Sequence, residues 1–430
     1  KKHGGFLAPG MDFAFGFTGD DYIDRALQND WLICNDSVVS PASSNALEDL
    51  QLRISLEPIR DLKIDLTANR TRNRSREIQY MFEGMPDTRS GNFSMSIISI
   101  GSAFERPSAG DGYHSGTFER FRRNLDVIRD RVESQFLGAQ YPQGSTLAGK
   151  TFDPANGTIS KHSPDVMIPA FLAAYTGKSA RNSALDFFPS LFSMMPNWRI
   201  TYTGLTKIAW FKKNFRSVNL NHAYRSTYSV GSYNTFQSFM SYMGDIGFVE
   251  DVQSGNPIPS SRFDISMVSI NEQFSPLIGM DATLKNGLTA KVEYKTSRIL
   301  NLSMSACQLV ETASRDFVIG LGYKIVNFNL FSARNVKDSK NRVSHDLALR
   351  ADISFRNQSA LCRDIQQGFA QATNGNKALK ISCSADYTLS RLLTLRLYYD
   401  RQQNTPLVSS SSYPVVSADF GFSMKFSLTR

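Results

Sequence analysis

Residues 61–84 read DLKIDLTANRTRNRSREIQYMFEG. Leu62, Ile64, Leu66 and Ala68 sit at every second position. Arg70, Arg72, Arg74 and Arg76 continue that parity, and Ile78, Tyr80 and Phe82 end it. Side chains of an extended chain alternate between two faces, so one face here is oily, then cationic, then oily again. A sheet that buries this face in a water-soluble core has no use for four arginines on it. A sheet whose oily face meets hydrocarbon can place arginines where the hydrocarbon ends. The pattern therefore predicts Arg70, Arg72, Arg74 and Arg76 at a hairpin tip at an outer membrane interface. There they would contact lipid phosphate through charge-assisted hydrogen bonds; a solvated loop is the plainer alternative.

Working outward, the same period-two pattern recurs along the chain. Met11, Phe13, Phe15 and Phe17 alternate, as do Leu50, Leu52, Ile54 and Leu56. In the second half come Phe317, Ile319, Leu321 and Tyr323, then Leu347, Leu349, Ala351, Ile353 and Phe355, and a last run from Val416 to Leu428. About fourteen segments of roughly ten residues can be drawn, the length a tilted membrane strand needs. Leu393, Leu395, Leu397, Phe420, Phe422 and Phe426 are candidates to face lipid. The opposite parity, with Lys291, Glu293, Lys295, Arg350, Asp352 and Arg396, is the candidate lining of a wet lumen. Trp198, Tyr202, Tyr224, Tyr228, Tyr399 and Tyr413 are candidates for interfacial girdles. Long links at 231–263, 357–377 and 401–414 and a moderate one at 307–315 alternate with short ones at 57–60, 285–287 and 390–391, as barrel loops and turns do; 326–344 breaks the alternation.

The fold class expected is all-β: a transmembrane antiparallel β-barrel, or part of the wall of a very large one, with a helical insertion. Residues 1–100 would give about five strands and 198–430 about nine. Between them, 101–197 interrupts the alternation. Phe118, Phe121, Leu125, Ile128 and Val132 step by three and four, the mark of an amphipathic helix, and a second short helix is expected at 165–176. This insertion would be a loop, a cap outside the membrane, or a plug inside the lumen.

Composition excludes some classes. No run of 18 apolar residues exists, so no transmembrane helix is expected. The start, KKHGG, lacks the charged and apolar regions of a signal peptide, and the chain reads as a piece of something longer. Its 48 basic residues against 39 acidic ones give a net charge of +9. No zinc-finger spacing, aromatic RNA-binding signature or helix-turn-helix pattern accompanies that charge, so nucleic acid is not an expected partner. Cys34, Cys307, Cys362 and Cys383 form no CxxC; a Cys362–Cys383 pair across a loop is one possibility. Five histidines include no HExxH. Gly112–Gly116 and Thr176–Ser179 match a nucleophile elbow and a phosphate loop only loosely, and Asp20-Asp21 reads as a loop pair. No enzyme, cofactor or metal site is expected.

Several longer words carry a resemblance. PNWRITYTGLTK at 196–207, FRSVNLNHAYRSTYSVGSYNT at 215–235 and EQFSPLIGMDATLKNGLTAKVEY at 272–294 resemble the C-terminal part of the SprA/Sov family. DLKIDLTANRTR at 61–72, IPAFLAAYTG at 168–177 and DFVIGLGYKI at 316–325 are similar too. That family is the outer-membrane translocon of the type 9 secretion system in Bacteroidota. The resemblance implies a bacterial outer-membrane location and a very large barrel that conducts folded cargo passively. It also implies partners: the remainder of the translocon barrel, a smaller cargo-collecting barrel at a lateral opening, and a periplasmic plug protein. Secreted cargo with a C-terminal sorting domain and outer-membrane lipid or lipopolysaccharide complete the set. It brings no catalytic residues. Family members are several times longer than this chain. The rival expectations are a closed outer-membrane porin or nutrient channel, and a secreted adhesin of stacked sandwiches.

Overall fold

A computed structural model describes residues 11–16, 22–29, 31, 40–79, 87–328, 346–389, 393–408 and 413–426. Cys34, Phe17, Asp20, Asp21, Tyr80, Phe82, His3, His345, the 390–391 link, Leu428 and most of 326–344 lie outside the described residues. The strands are β1 (Ala42–Ile59), β2 (Leu62–Ile78), β3 (Thr88–Ser96), β4 (Asn197–Tyr202), β5 (Phe215–Thr235), β6 (Met240–Met243), β7 (Ile246–Glu250), β8 (Pro257–Ser261) and β9 (Phe263–Asp264). They continue with β10 (Met267–Leu284), β11 (Leu288–Ser303), β12 (Gln308–Ile325), β13 (Leu347–Asp364), β14 (Ala370–Thr388), β15 (Leu393–Pro406) and β16 (Val415–Phe426). Five helices are described: α1 (Met11–Ala14), α2 (Tyr22–Gln28), α3 (Gly116–Ser134), α4 (Pro164–Tyr175) and α5 (Ala209–Asn214).

The chain is all-β with a helical insertion. Thirteen strands form one sheet in the order β1-β2-β3-β5-β10-β11-β12-β13-β14-β15-β16, with β4 between β2 and β5 and the two-residue β9 on the end of β5. Every pairing is antiparallel. β3 and β4 share one position: β2 pairs with β3 through residues 70–77 and with β4 through 62–67. The sheet therefore has eleven strand positions. With an odd number of antiparallel positions, the edge strands β1 and β16 run in the same direction. Among the described residues they do not pair, so the wall is open.

Several expectations are corrected. The segments at 61–69 and 77–83 are not two strands around an arginine tip; residues 62–78 are one strand, and the described part of 1–100 holds three strands rather than five. The first apolar run begins as α1, not as a strand. The links predicted at 307–315 and 357–377 shrink to 304–307 and 365–369, because β12, β13 and β14 run on to 18 or 19 residues. Long loops and short turns therefore do not alternate as expected. At Lys285-Asn286-Gly287 the tight turn does form: Gly287 takes φ +88° and Asn286 Oδ1 accepts the Leu288 N–H at 3.1 Å. Only glycine adopts that backbone without strain.

The insertion spans 97–196, leaving the sheet in mid-strand between β3 and β4. Asn197 closes the gap by donating Nδ2 to Ser96 Oγ at 3.1 Å and accepting the Ser226 N–H at 2.7 Å. Ser115 caps α3 through its hydroxyl, which accepts the Phe118 N–H. The helix then buries Phe118, Phe121, Leu125, Ile128 and Val132. α4 is buried nearly all round, from Val166 to Tyr175. The small sheet β6-β7-β8, grown from the β5–β10 link, joins this core through Phe248, 5.3 Å from the rings of Phe136 and Tyr141.

Candidate membrane interface and the seam above it

Strand register decides which side chains share a face. The apolar parity forms transverse rows across the wall. One row reads Ile59, Leu62, Tyr202, Leu220, Met280, Val292, Ile319, Ile353 and Ile381, nine neighbouring strand positions without a polar residue. Along β13 the band runs from Leu347 to Phe355, nine residues, within the roughly 9–11 residues with which a tilted strand crosses a membrane. Most of its side chains lack protein cover: Phe420 is 77% exposed and Ile353 46%. Leu393, Leu395, Leu397, Phe420, Phe422 and Phe426 all lie on this face, as the β14–β15 and β15–β16 registers place them.

The opposite face is polar. At band level its row reads Asp281, Lys291, Gly320, Asp352, Ser382, Asp400 and Asp419. Lys291, Glu293, Lys295, Arg350, Asp352 and Arg396 all stand on it. Glu293 is bridged by Lys291 at 3.1 Å and Lys295 at 2.8 Å, and Arg396 meets Asp386 at 3.5 Å. Away from the band charges thin out on this face, with Asp49, Arg225 and Asp364 among those remaining. Thr67, Asn69, Thr71, Asn73 and Ser75 on β2 and Ser269 and Asn271 on β10 are typical. Cys362 stands on the polar face and Cys383 on the apolar one, far apart in register, so they form no disulfide; Cys307, Cys362 and Cys383 are free thiols.

The band ends sharply on its own face. Two residues beyond Tyr294, Phe317, Phe355 and Leu379 the row becomes Thr296, Arg315, Asn357 and Lys377. Trp198 stacks on Tyr224 with ring centres 4.4 Å apart at the same border, and Phe274 lies 4.8 Å from Tyr224. Trp198 Nε1 donates to His222 Nε2 at 3.0 Å, which fixes the indole. Tyr228 is four residues beyond Tyr224 and lies buried beneath the insertion, its hydroxyl donating to the Phe187 carbonyl at 3.1 Å.

Above that border the insertion covers the same face. Leu300, Leu302 and Leu309 of the sheet pack with Phe121, Phe171 and Ala174 of α3 and α4 in one core. The insertion is therefore a cover on the apolar-parity side and not a plug against the polar face. Ion pairs lie in the seam. Arg298 and Glu272 meet at 2.7 Å, with side chains 8% and 2% exposed. Arg298 also donates to the Ser102 carbonyl at 2.6 Å and to Ser102 Oγ at 2.9 Å. Glu272 accepts from Ser99 Oγ at 2.7 Å and the Tyr224 hydroxyl at 2.8 Å. Arg363, 1% exposed, binds Glu311 at 3.1 Å and donates to the Tyr113 carbonyl at 2.6 Å. Arg315 reaches the Glu105 carbonyl at 3.1 Å. These four charged residues drew no attention in the sequence, although a visible signal existed: Glu272, Arg298, Glu311 and Arg363 occupy the parity that should be apolar.

The arginines of 61–84 belong to this seam, inside β2 and not at a tip. Arg70 and Arg74 both bind Glu48, the former at 3.2 Å. Arg76 is held by Asp24 at 2.8 Å and Asp87 at 2.9 Å. Arg72 lies over the Phe188 ring at 4.9 Å and Arg70 over Phe93 at 5.2 Å. Carboxylates and rings of the protein thus surround the guanidinium groups.

Buried carboxyls on the insertion behave differently from one another. Burial pushes the Asp165 carboxyl, at the start of α4, above the usual carboxylate range, although it accepts the Ser261 N–H at 3.2 Å. Burial also pushes Glu105 up, but hydrogen bonds from Ser115 and Thr117 outweigh it and leave its carboxyl lowered. Among the described residues no group of three His, Cys, Asp or Glu could hold a metal ion, and no helix is long and apolar enough to cross a membrane.

No protein-family model matches this chain, and no curated protein does. Among solved structures it is similar to OmpT (in-vitro folded), an outer membrane protein of Vibrio cholerae in its trimer form. That match has 9% sequence identity over 90% of this chain and 99% of that one, with a TM-score of 0.22, a level on which no argument rests.

Proposed function

We propose that this chain is part of the wall of an outer-membrane protein-export channel, a translocon subunit or fragment of the type 9 kind that its sequence words resemble. One observation carries the membrane part: a nine-position apolar row stands uncovered on one face of the sheet while the face behind it is polar. In water that row would be an aggregation surface. Against hydrocarbon it is at home, and each strand between the two edges pairs with a neighbour on both sides, as lipid requires.

The open wall supports a large assembly over a small closed pore. β1 and β16 point the same way, so joining them directly would need a parallel seam, which bacterial single-chain outer-membrane barrels, with their even strand numbers, do not use. An odd number of further strands makes the closure antiparallel throughout. The remainder of a translocon barrel would supply them, with the smaller cargo-collecting barrel, the periplasmic plug protein and sorting-domain cargo as further partners. A polar face, with bridged charges at band level and mostly Ser, Thr and Asn away from it, suits passage of folded proteins, because it offers little oily surface to hold them. Transport by this wall needs no covalent step.

Removing the protein from its cell separates this function from a nutrient porin. Export predicts that proteins bearing a C-terminal sorting domain accumulate in the periplasm while small-solute uptake is unchanged. Normal cargo display with reduced solute uptake overturns export in favour of the porin.

A further inference from the structure

The end of the wall away from the insertion carries a feature that nothing above uses. The β4–β5 link folds into a turn and the short helix α5. Ile208 and Trp210 are exposed there, Trp210 by 61%. The indole is braced: its ring lies 4.8 Å from Phe211 and 5.8 Å from Phe215, and Phe211 lies 5.6 Å from Phe215. Lys212 and Lys213 are exposed beside it, and Arg216 opens β5. The Lys285 N–H donates to the Asn214 carbonyl at 3.1 Å and brings the β10–β11 turn alongside. Asp61, the acid nearest in the adjoining turn, is already paired with Lys207.

We propose that residues 203–216 form a membrane anchor that seats on anionic phospholipid headgroups, with Trp210 in the interface and Lys212, Lys213 and Arg216 on the phosphates. The inference rests on the reading of the uncovered band as a lipid surface, and the anchor continues that surface at its lower edge. Nine residue steps separate Phe215 from Tyr224, the roughly 9–11 residues with which a tilted strand crosses the hydrocarbon. Tyr224 stacks with Trp198 at the upper border, so two aromatic levels bracket a slab of hydrocarbon thickness. Lys212 and Lys213, exposed and without a carboxylate partner among the described residues, favour an anionic surface beside the lower ring. Arg70, Arg74 and Arg76 of β2, by contrast, already have carboxylate partners.

The test uses the whole chain reconstituted in phosphatidylcholine vesicles with or without phosphatidylglycerol, containing lipid brominated either near the headgroup or at mid-chain. The difference in quenching between the native chain and Trp210→Phe isolates the signal of that ring. A Leu397→Trp reporter marks the band. The anchor predicts that Trp210 is quenched several-fold more by the shallow bromine. It also predicts that Lys212→Glu with Lys213→Glu weakens this quenching in vesicles with phosphatidylglycerol and not in those without. No quenching of Trp210 alongside strong mid-chain quenching of Leu397→Trp overturns the anchor and leaves the band intact. No quenching at either site overturns both. Quenching of Trp210 that ignores the charge reversal overturns the assignment to anionic headgroups.

Discussion

One face of one sheet is treated in two opposite ways. In its lower half Phe420 stands 77% exposed; in its upper half, under the insertion, Arg363 is 1% exposed. A water-soluble protein arranges these the other way round, because burying a phenylalanine side chain gains roughly 1.5–3 kcal/mol and burying a lone charge costs several. The inversion makes sense if the lower half meets hydrocarbon and the upper half meets a protein cover that brings its own hydrogen-bond partners. The strands are single continuous rods through both environments. What changes along them is only the solvent, and the row Thr296, Arg315, Asn357 and Lys377 marks the change.

The comparison breaks most visibly in the seam. Glu272→Ala leaves Arg298 buried without its carboxylate and should cost about 3–5 kcal/mol. The loss should appear as protease cleavage within 101–196 while the strands stay protected. Replacing both partners together, Glu272→Leu with Arg298→Met, should restore most of that loss. If the single and double variants are equally resistant to protease, the pair does not hold the insertion down.

The band gives the next largest effect. Ile353→Arg, near its middle, should cost about 2–4 kcal/mol of folding into lipid. Arg350→Ala, three residues away on the polar face, should stay within about 0.5 kcal/mol. Folding yield into vesicles across a urea series separates the two; equal values would mean that parity does not sort lipid from water.

Smaller effects sharpen the picture. Gly287→Ala forces a left-handed alanine into the β10–β11 turn and should cost about 1–2 kcal/mol, read from the same urea series. Asp165 tests the cover by pH. Its folded-state pKa lies above the ordinary 3.8, so its contribution to folding is full below that value and is lost as the pH rises through the folded value. Native insertion packing should therefore weaken from acid toward neutral pH relative to Asp165→Asn, as followed by hydrogen exchange of α4. A constant difference between the two chains across that range would place the proton elsewhere.

Sequence alone showed the strands wherever lipid-facing residues alternate. β13 was legible from Leu347 to Phe355 and β16 through Phe426. It misjudged where strands end. Residues 357–364 continue β13 through unbroken pairing with β12, yet Asn357, Ser359 and Arg363 read as loop because their partners are brought by a distant insertion. The arginines of β2 read as a tip for the same reason, since Glu48, Asp24 and Phe188 are near only in the fold. The insertion itself was marked by the break in alternation at 101–197, but not that its two ends share one strand position: Ser96 and Asn197 become neighbours through a hydrogen bond that spacing cannot show. The amphipathic α3, by contrast, was plain from its three-and-four steps, because its apolar face meets a core built largely within the insertion.

The most direct measurement is accessibility, residue by residue, along 347–355 in lipid. Single spin labels go onto a chain without its four native cysteines, and relaxation by oxygen, which collects in hydrocarbon, is set against relaxation by a water-soluble nickel chelate. A wall between lipid and lumen gives oxygen maxima at 347, 349, 351, 353 and 355 and nickel maxima at 348, 350, 352 and 354. Odd positions shielded from both reagents, or open to nickel like their neighbours, would show a face packed on protein or water and would contradict the membrane wall.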